Sequence, residues 1–165
     1  MMKIFLSSAL FFGMYEFATP SITDVRSLYQ KAATKENDCK NVIELLATYN
    51  EENNPLLAGY KAGATMMMAK YVFNPISKLS YFNQGKKMLE KAIYADEKNI
   101  ELRFLRYALQ TNIPFFLGYN NDLTTDKSFL INSIPQIKDE GLKEFIFPYL
   151  KKSGNLSETE KQKLK

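Results

Sequence analysis

At 165 residues, with 45% hydrophobic and 24% charged side chains, the chain has the length and balance of one folded domain with a real core. Its 22 basic and 18 acidic residues, net +4, are interspersed rather than gathered into the basic stripe that a nucleic-acid surface needs. Histidine is absent and Cys39 is the single cysteine. Those two counts remove imidazole bases, Ser-His-Asp and Cys-His nucleophile systems, His-ligated metals, internal disulfides and thiolate zinc clusters.

Met1-Met2-Lys3 followed by the apolar run from Ile4 to Tyr15 has the pattern of a secretory signal, because a positive start precedes a stretch too short to span a bilayer comfortably. Ala18, Thr19 and Ser21 supply small residues for cleavage, although Glu16 takes the third place back from a cut after Ala18. Residues 1–20 are therefore read as a signal peptide, with an apolar core helix and a retained anchor as the other two readings. Cys39 lies far beyond this run, away from where a lipoprotein carries its acylated cysteine, and is read as a small buried residue.

Ser21-Ile22-Thr23-Asp24 resembles a capping box, and Val25, Leu28, Tyr29 and Ala32 then share one face, predicting a helix over 23–34. Asp38 is expected to cap a second helix whose buried stripe is Cys39, Val42, Ile43, Leu46 and Ala47. Asn50 to Asn54 ends it, and Pro55 suits the first turn of the next. Residues 56–73 carry Ala58, Gly59, Ala62, Gly63, Ala64 and Ala69, a thin helix able to pack closely on more than one side and so expected at the centre. Met66-Met67-Met68 within it reads as core in preference to a plastic binding surface.

Asn74-Pro75 breaks that helix, and residues 76–83 read as a long connection or a bent lead-in. A helix carrying Gly85, Leu89 and Ala92 runs through Tyr94 to the polar turn Asp96 to Asn99. Ile100, Phe104, Leu105, Tyr107 and Ala108 mark the next. Asn112 to Asp122 has no helical period yet holds Phe115, Phe116, Leu117 and Tyr119, so this apolar loop is expected to cover the end of the helix stack. Asp126, Phe129, Leu130, Ile134 and Ile137 predict a helix strained at Pro135; residues 142–150 predict a short one with Pro148 near its end. From 153 the chain is polar, with a capping box at Ser157 to Glu160. No strand alternation persists. The reading is all-α: one domain over 21–152 of stacked antiparallel helical hairpins, about 6–8 helices, and a polar tail or short helix over 153–165.

Gly85, Leu89 and Ala92 resemble the second helix of a tetratricopeptide repeat, and Tyr60, Gly63, Ala64 and Met67 resemble its first. Glu97 stands where the repeat carries proline, the link between the two helices is longer than usual, and Arg103 and Arg106 stand where the repeat prefers apolar residues. The resemblance implies a right-handed superhelix of hairpins whose concave groove binds a protein or peptide segment.

Arg103 and Arg106 lie one turn apart, with Gln110 near the same face and Tyr107 beside them. Two guanidinium groups there would grip a carboxylate, either a peptide terminus or an acidic envelope component; pairing with nearby acids such as Glu101, or solvation, is the alternative. Tyr119 and Asn120, with Asn121, would supply hydrogen bonds at the edge of a groove closed by the 112–122 loop. The alternation Asn120, Asp122, Thr124, Asp126 is not a calcium loop, because Thr125 and Ile131 replace its glycine and closing glutamate. Asn155-Leu156-Ser157 is a glycosylation sequon. No metal or cofactor is expected. The expected function is a non-catalytic, exported protein- or peptide-binding scaffold of the cell envelope, without nucleic acid and without a stable membrane span once the leader is removed. The alternative is a small-molecule-binding protein or enzyme with its pocket between helix 56–73 and loop 112–122.

Overall fold

Asparagine starts three of the helices. Asn54 accepts from the Leu57 N–H at 3.1 Å, Asn74 from Ile76 at 2.8 Å, and Asn99 from Glu101 and Leu102 at 3.1 Å each. In the first two cases proline follows at the opening helical position, where its missing N–H costs nothing. The computed structural model describes residues 19–153 and 156–163; the signal-peptide reading, apart from its last two positions, and Asn155 of the sequon lie outside the described residues.

Among the described residues the secondary structure is entirely helical: α1 (Ile22–Ala32), α2 (Glu36–Leu45), α3 (Pro55–Met67), α4 (Pro75–Ala95), α5 (Ile100–Asn112), α6 (Leu123–Ser133), α7 (Glu140–Lys152) and α8 (Glu158–Gln162). No helix among them is long and apolar enough to cross a membrane. The expected all-α class and helix number hold, with local corrections. Residues 76–83 are the first turns of the long α4, not a connection; Ile76 and Leu79 face outwards there, so the segment has no buried stripe to betray its period. The helix expected over 56–73 ends at Met67 and gives way to a 3-10 turn at Met68–Lys70. Ser21 opens α1 without a side-chain cap, and Lys35 rather than Asp38 precedes α2. Asp38 instead lies in the first turn, where a carboxylate favours the positive end of the helix dipole. Ser157 and Glu160 do form the expected capping box.

Helix α3 is central, and its small residues are the reason. A Cβ placed on Gly85 of α4 would sit 2.6 Å from the Ala62 carbonyl oxygen and 2.7 Å from the Met66 amide, so α3 and α4 meet backbone against backbone. Gly59 accommodates Leu102 of α5, and Gly63 lies under the Tyr29 ring of α1. Met66 and Met68 are buried and Met67 half-buried, which makes the methionine run core. Cys39 is buried too, donating from its Sγ to the Ala64 carbonyl at 3.0 Å, and burial pushes its thiol up to about 11.

Helices α1 and α2, α3 and α4, and α5 and α6 pack as successive hairpins, while α3 also touches α1 and α5. Ile22, Leu56, Ile100 and Leu142 line one shallow depression, so the first turns of α1, α3, α5 and α7 gather at one end and those four helices run the same way. Aromatic rings link them internally. Tyr29 meets Tyr60 edge-on at 5.0 Å, Tyr60 meets Phe145 at 6.2 Å, and Phe104 meets Phe145 at 5.1 Å and Tyr149 at 5.4 Å. Helix α7 thus reaches α3 as well as α5, and closes the row.

A buried ion cluster fastens that closure. Arg26 donates from Nε and Nη2 to the two Glu101 oxygens at 2.8 and 2.7 Å, and from Nη2 to Asp139 at 2.9 Å. Tyr60 donates its hydroxyl to the same Glu101. The two-pronged bond to Glu101, outweighing the cost of burial, holds the Arg26 guanidinium charged; Arg26 in turn holds Asp139 below the usual carboxylate range. The other end of α7 is tied by Tyr149, whose hydroxyl donates to the Ala108 carbonyl at 3.1 Å and accepts from Asn112 at 2.7 Å.

Candidate functional site

An open groove of about 1020 Å³ crosses three hairpins. Its long wall is the second half of α4, with Lys87, Glu90, Lys91, Ile93, Tyr94 and Ala95. Glu51 and Glu52 from the turn before α3 form one rim; Arg103 and Arg106 of α5, with Asp122 and Thr125 at the start of α6, form the other, and Glu97 closes one end. The buried side of α4 dictates this arrangement. Leu89, Ala92 and Ile93 turn inwards, so Lys87, Lys91 and Tyr94 must turn out.

Arg103 and Arg106 therefore come together on a groove wall, as the helical spacing predicts, but each already holds a carboxylate of the chain. Arg106 donates from Nε and Nη2 to the two Asp126 oxygens at 2.7 and 2.9 Å, and from Nη1 to Glu90 at 2.7 Å; Asp122 lies 3.5 Å away. Arg103 donates from Nε to the same Asp126 and stacks its guanidinium over Phe129 at 4.8 Å. The place foreseen for a partner's carboxylate is thus taken by Asp126, which is wholly buried. Nor does Glu101 pair with these arginines; it serves Arg26. Burial opposes the charge on Arg106, yet the Asp126 bonds and the charges of Glu90 and Asp122 prevail and raise its affinity for the proton.

Tyr119 joins the same network. Its ring packs edge-on against Phe82 at 6.0 Å, Lys86 sits over its face at 4.8 Å, and its hydroxyl donates to Glu90. Burial, reinforced by Glu90, pushes the phenol well up from its ordinary value. All these partners belong to α4, so Tyr119 fastens the 112–122 loop to that helix. Only Tyr119 of its aromatics is buried. Phe115 and Phe116 sit on a 3-10 turn that ends at Gly118 in the left-handed region, φ 60°, and they face solvent instead of covering the stack.

Tyr107 and Gln110 are buried on α5, and neither the Tyr107 hydroxyl nor either end of the Gln110 amide has a hydrogen-bond partner among the described residues. Neither reaches the groove, and Asn120, half-buried in the turn before α6, does not line it. The residues missed by sequence reasoning are the acceptors Asp126 and Glu90, the ion pair of Lys91 with Glu51 at 2.6 Å, and the exposed Tyr94. Asp126 did leave a signal. An acid sharing a helical stripe with Phe129 and Leu130 enters the interior and requires a buried cation.

Carboxylates outnumber cations along the groove, and the imbalance sharpens once pairs are set aside. Arg103, Arg106 and Lys91 are neutralised by Asp126, Glu90 and Glu51, whereas Glu52 and Glu97, and against them Lys87, carry no ion pair among the described residues. A net positive chain has an acidic groove with an exposed tyrosine on its wall. No protein-family model matches the chain, and comparison with curated proteins and with solved structures finds no match.

Proposed function

We propose that the chain is a non-catalytic, exported binding module of the cell envelope, tetratricopeptide-like in presenting a groove across successive hairpins, and that the groove between α4, α5 and α6 receives a protein or peptide segment. The observation that carries this reading is the pairing of shape with charge. An open groove about 1020 Å³ in volume crosses three hairpins, its arginines are internally neutralised, and Glu52, Glu97 and Tyr94, with Lys87 as the one unpaired lining cation among the described residues, are left to meet a partner. Such a rim favours a segment with lysine or arginine flanking an aromatic or aliphatic side chain, since the cation finds carboxylates while the apolar group rests on Tyr94 and Ala95. An acidic segment would have to displace Asp126 from two guanidinium groups.

The test is retention of arrayed peptides of about ten residues by the full-length chain, followed by titration of the retained ones. Basic peptides are expected to bind, and Glu52→Lys with Glu97→Lys to weaken them about tenfold or more while helicity by circular dichroism stays unchanged. Retention of no peptide of any charge sinks the binding-module reading.

A further inference from the structure

We propose that the end of the molecule formed by the start of α4 and the 112–122 loop docks on an anionic lipid surface. This inference does not rest on the groove. Phe73 is 98% exposed, Ile76 79%, Phe115 81% and Phe116 85%, and Leu79 is half exposed. Soluble surfaces scatter single apolar side chains freely, but five large ones at one end require an occupant.

The fold places them together. Ile76 and Leu79 lie on the first turns of α4, about 9 and 5 Å along the axis from Phe82, and Phe73 lies just before them. Phe82 is the ring on which Tyr119 anchors the loop carrying Phe115 and Phe116. Because α1, α3, α5 and α7 run parallel, their last turns reach the same end. Lys70 and Tyr71 bind the Ala33 and Ala32 carbonyls at 2.8 and 2.9 Å, and Asn112 binds Tyr149.

Charge selects the occupant. Lys31, Lys35, Lys70, Lys78, Lys151 and Lys152 are exposed on the segments that end there. Of the acids beside them, Glu36 is tied to Lys40 at 2.7 Å, Asp38 stands in the first turn of α2, Asp122 of the loop lies 3.5 Å from Arg106, and Glu158 and Glu160 beyond Lys152 are tied to Lys161 and Lys127 at 2.7 and 3.1 Å. Protruding phenylalanines and branched aliphatics ringed by lysine suit insertion at the headgroup boundary of an anionic bilayer. A second copy of the chain suits it less, because symmetric pairing would bring the same lysines face to face.

The full chain is mixed with vesicles of phosphatidylcholine, alone or with about one third phosphatidylglycerol, and floated on a density gradient. Binding is expected only with phosphatidylglycerol, to weaken with added salt, and to fall about tenfold or more in the Phe73→Ser, Ile76→Ser variant, whose altered side chains are largely in solvent. The chain lacks tryptophan, so a Phe116→Trp variant gives one emission band, expected to shift to the blue on anionic vesicles only. Equal binding by the serine variant and the wild type, which would place the contact elsewhere, for instance in residues 4–15, overturns the proposal. So does failure to bind, or a dimer in sedimentation that the serine substitutions abolish.

Discussion

Arg26 and Arg106 are both buried, both held by more than one carboxylate, and each cluster includes a tyrosine hydroxyl, yet the two clusters span very different lengths of chain. Arg26 reaches Glu101 and Asp139, 75 and 113 residues away, and joins α1 to α5 and to the head of α7. Arg106 finds its acids within 20 residues, on the helices that flank α5 in sequence. In the first cluster Arg26 and Glu101 are buried where the helix row closes, and Asp139 alone stands half in solvent. In the second, Glu90 and Asp122 keep a substantial part of their side chains in solvent on the groove wall. The same charge chemistry seals an interior in one place and holds the shape of a surface in the other. A buried pair adds little net stability when intact but is costly to break, so its work is to exclude other arrangements.

That comparison ranks the effects of substitution. Arg26→Met leaves Glu101 buried with only a tyrosine hydroxyl as partner and is expected to cost about 4 kcal/mol in denaturant unfolding. Asp126→Asn keeps hydrogen-bond acceptance and leaves Glu90 and Asp122 to neutralise Arg106, so the expected loss is about 2 kcal/mol. If Asp126→Asn proved the more damaging, the groove cluster would be the true closure and the comparison would be reversed. Acid separates them further. The hydrogen bond from Arg26 lowers the folded-state Asp139 below its unfolded value. Its contribution is therefore full above about pH 4 and is lost as pH falls through the lower folded value. Asp139→Asn should flatten acid unfolding below about pH 4, by less than either core substitution costs because Asp139 is half in solvent. The smallest change in stability belongs to Tyr94→Ala, within about 0.5 kcal/mol of wild type, while peptide retention in the groove drops.

The helices with an uninterrupted buried stripe were legible in sequence because the period of 3.6 is the period of burial. α3 was also legible as a centre, since Ala58, Gly59, Ala62 and Gly63 have no other evident use in a helix. The start of α4 was not, because Ile76 and Leu79 face outwards and no stripe forms. The arginine pair on α5 could be seen from its spacing, but its acceptors could not. Asp126 and Glu90 meet Arg106 through the turning of two hairpins, a property of tertiary packing. Arg26 was overlooked for the same reason: beside Val25 it reads as the polar flank of an amphipathic helix, and only the arrival of Glu101 and Asp139 makes it interior. In the 112–122 loop, apolar composition suggested cover, and the single buried ring is Tyr119.

The reach of Arg26 also imposes an order of assembly. Helices α3 and α4 are joined by residues 68–74 and meet through adjacent backbones, so their contacts close early and at small entropic expense. Asp139 can find Arg26 only after the intervening chain has been arranged around it, which makes α7 a late arrival with high contact order. Amide protons of residues 140–152 should therefore exchange with solvent through local opening well before those of residues 55–67, which open only with the whole domain.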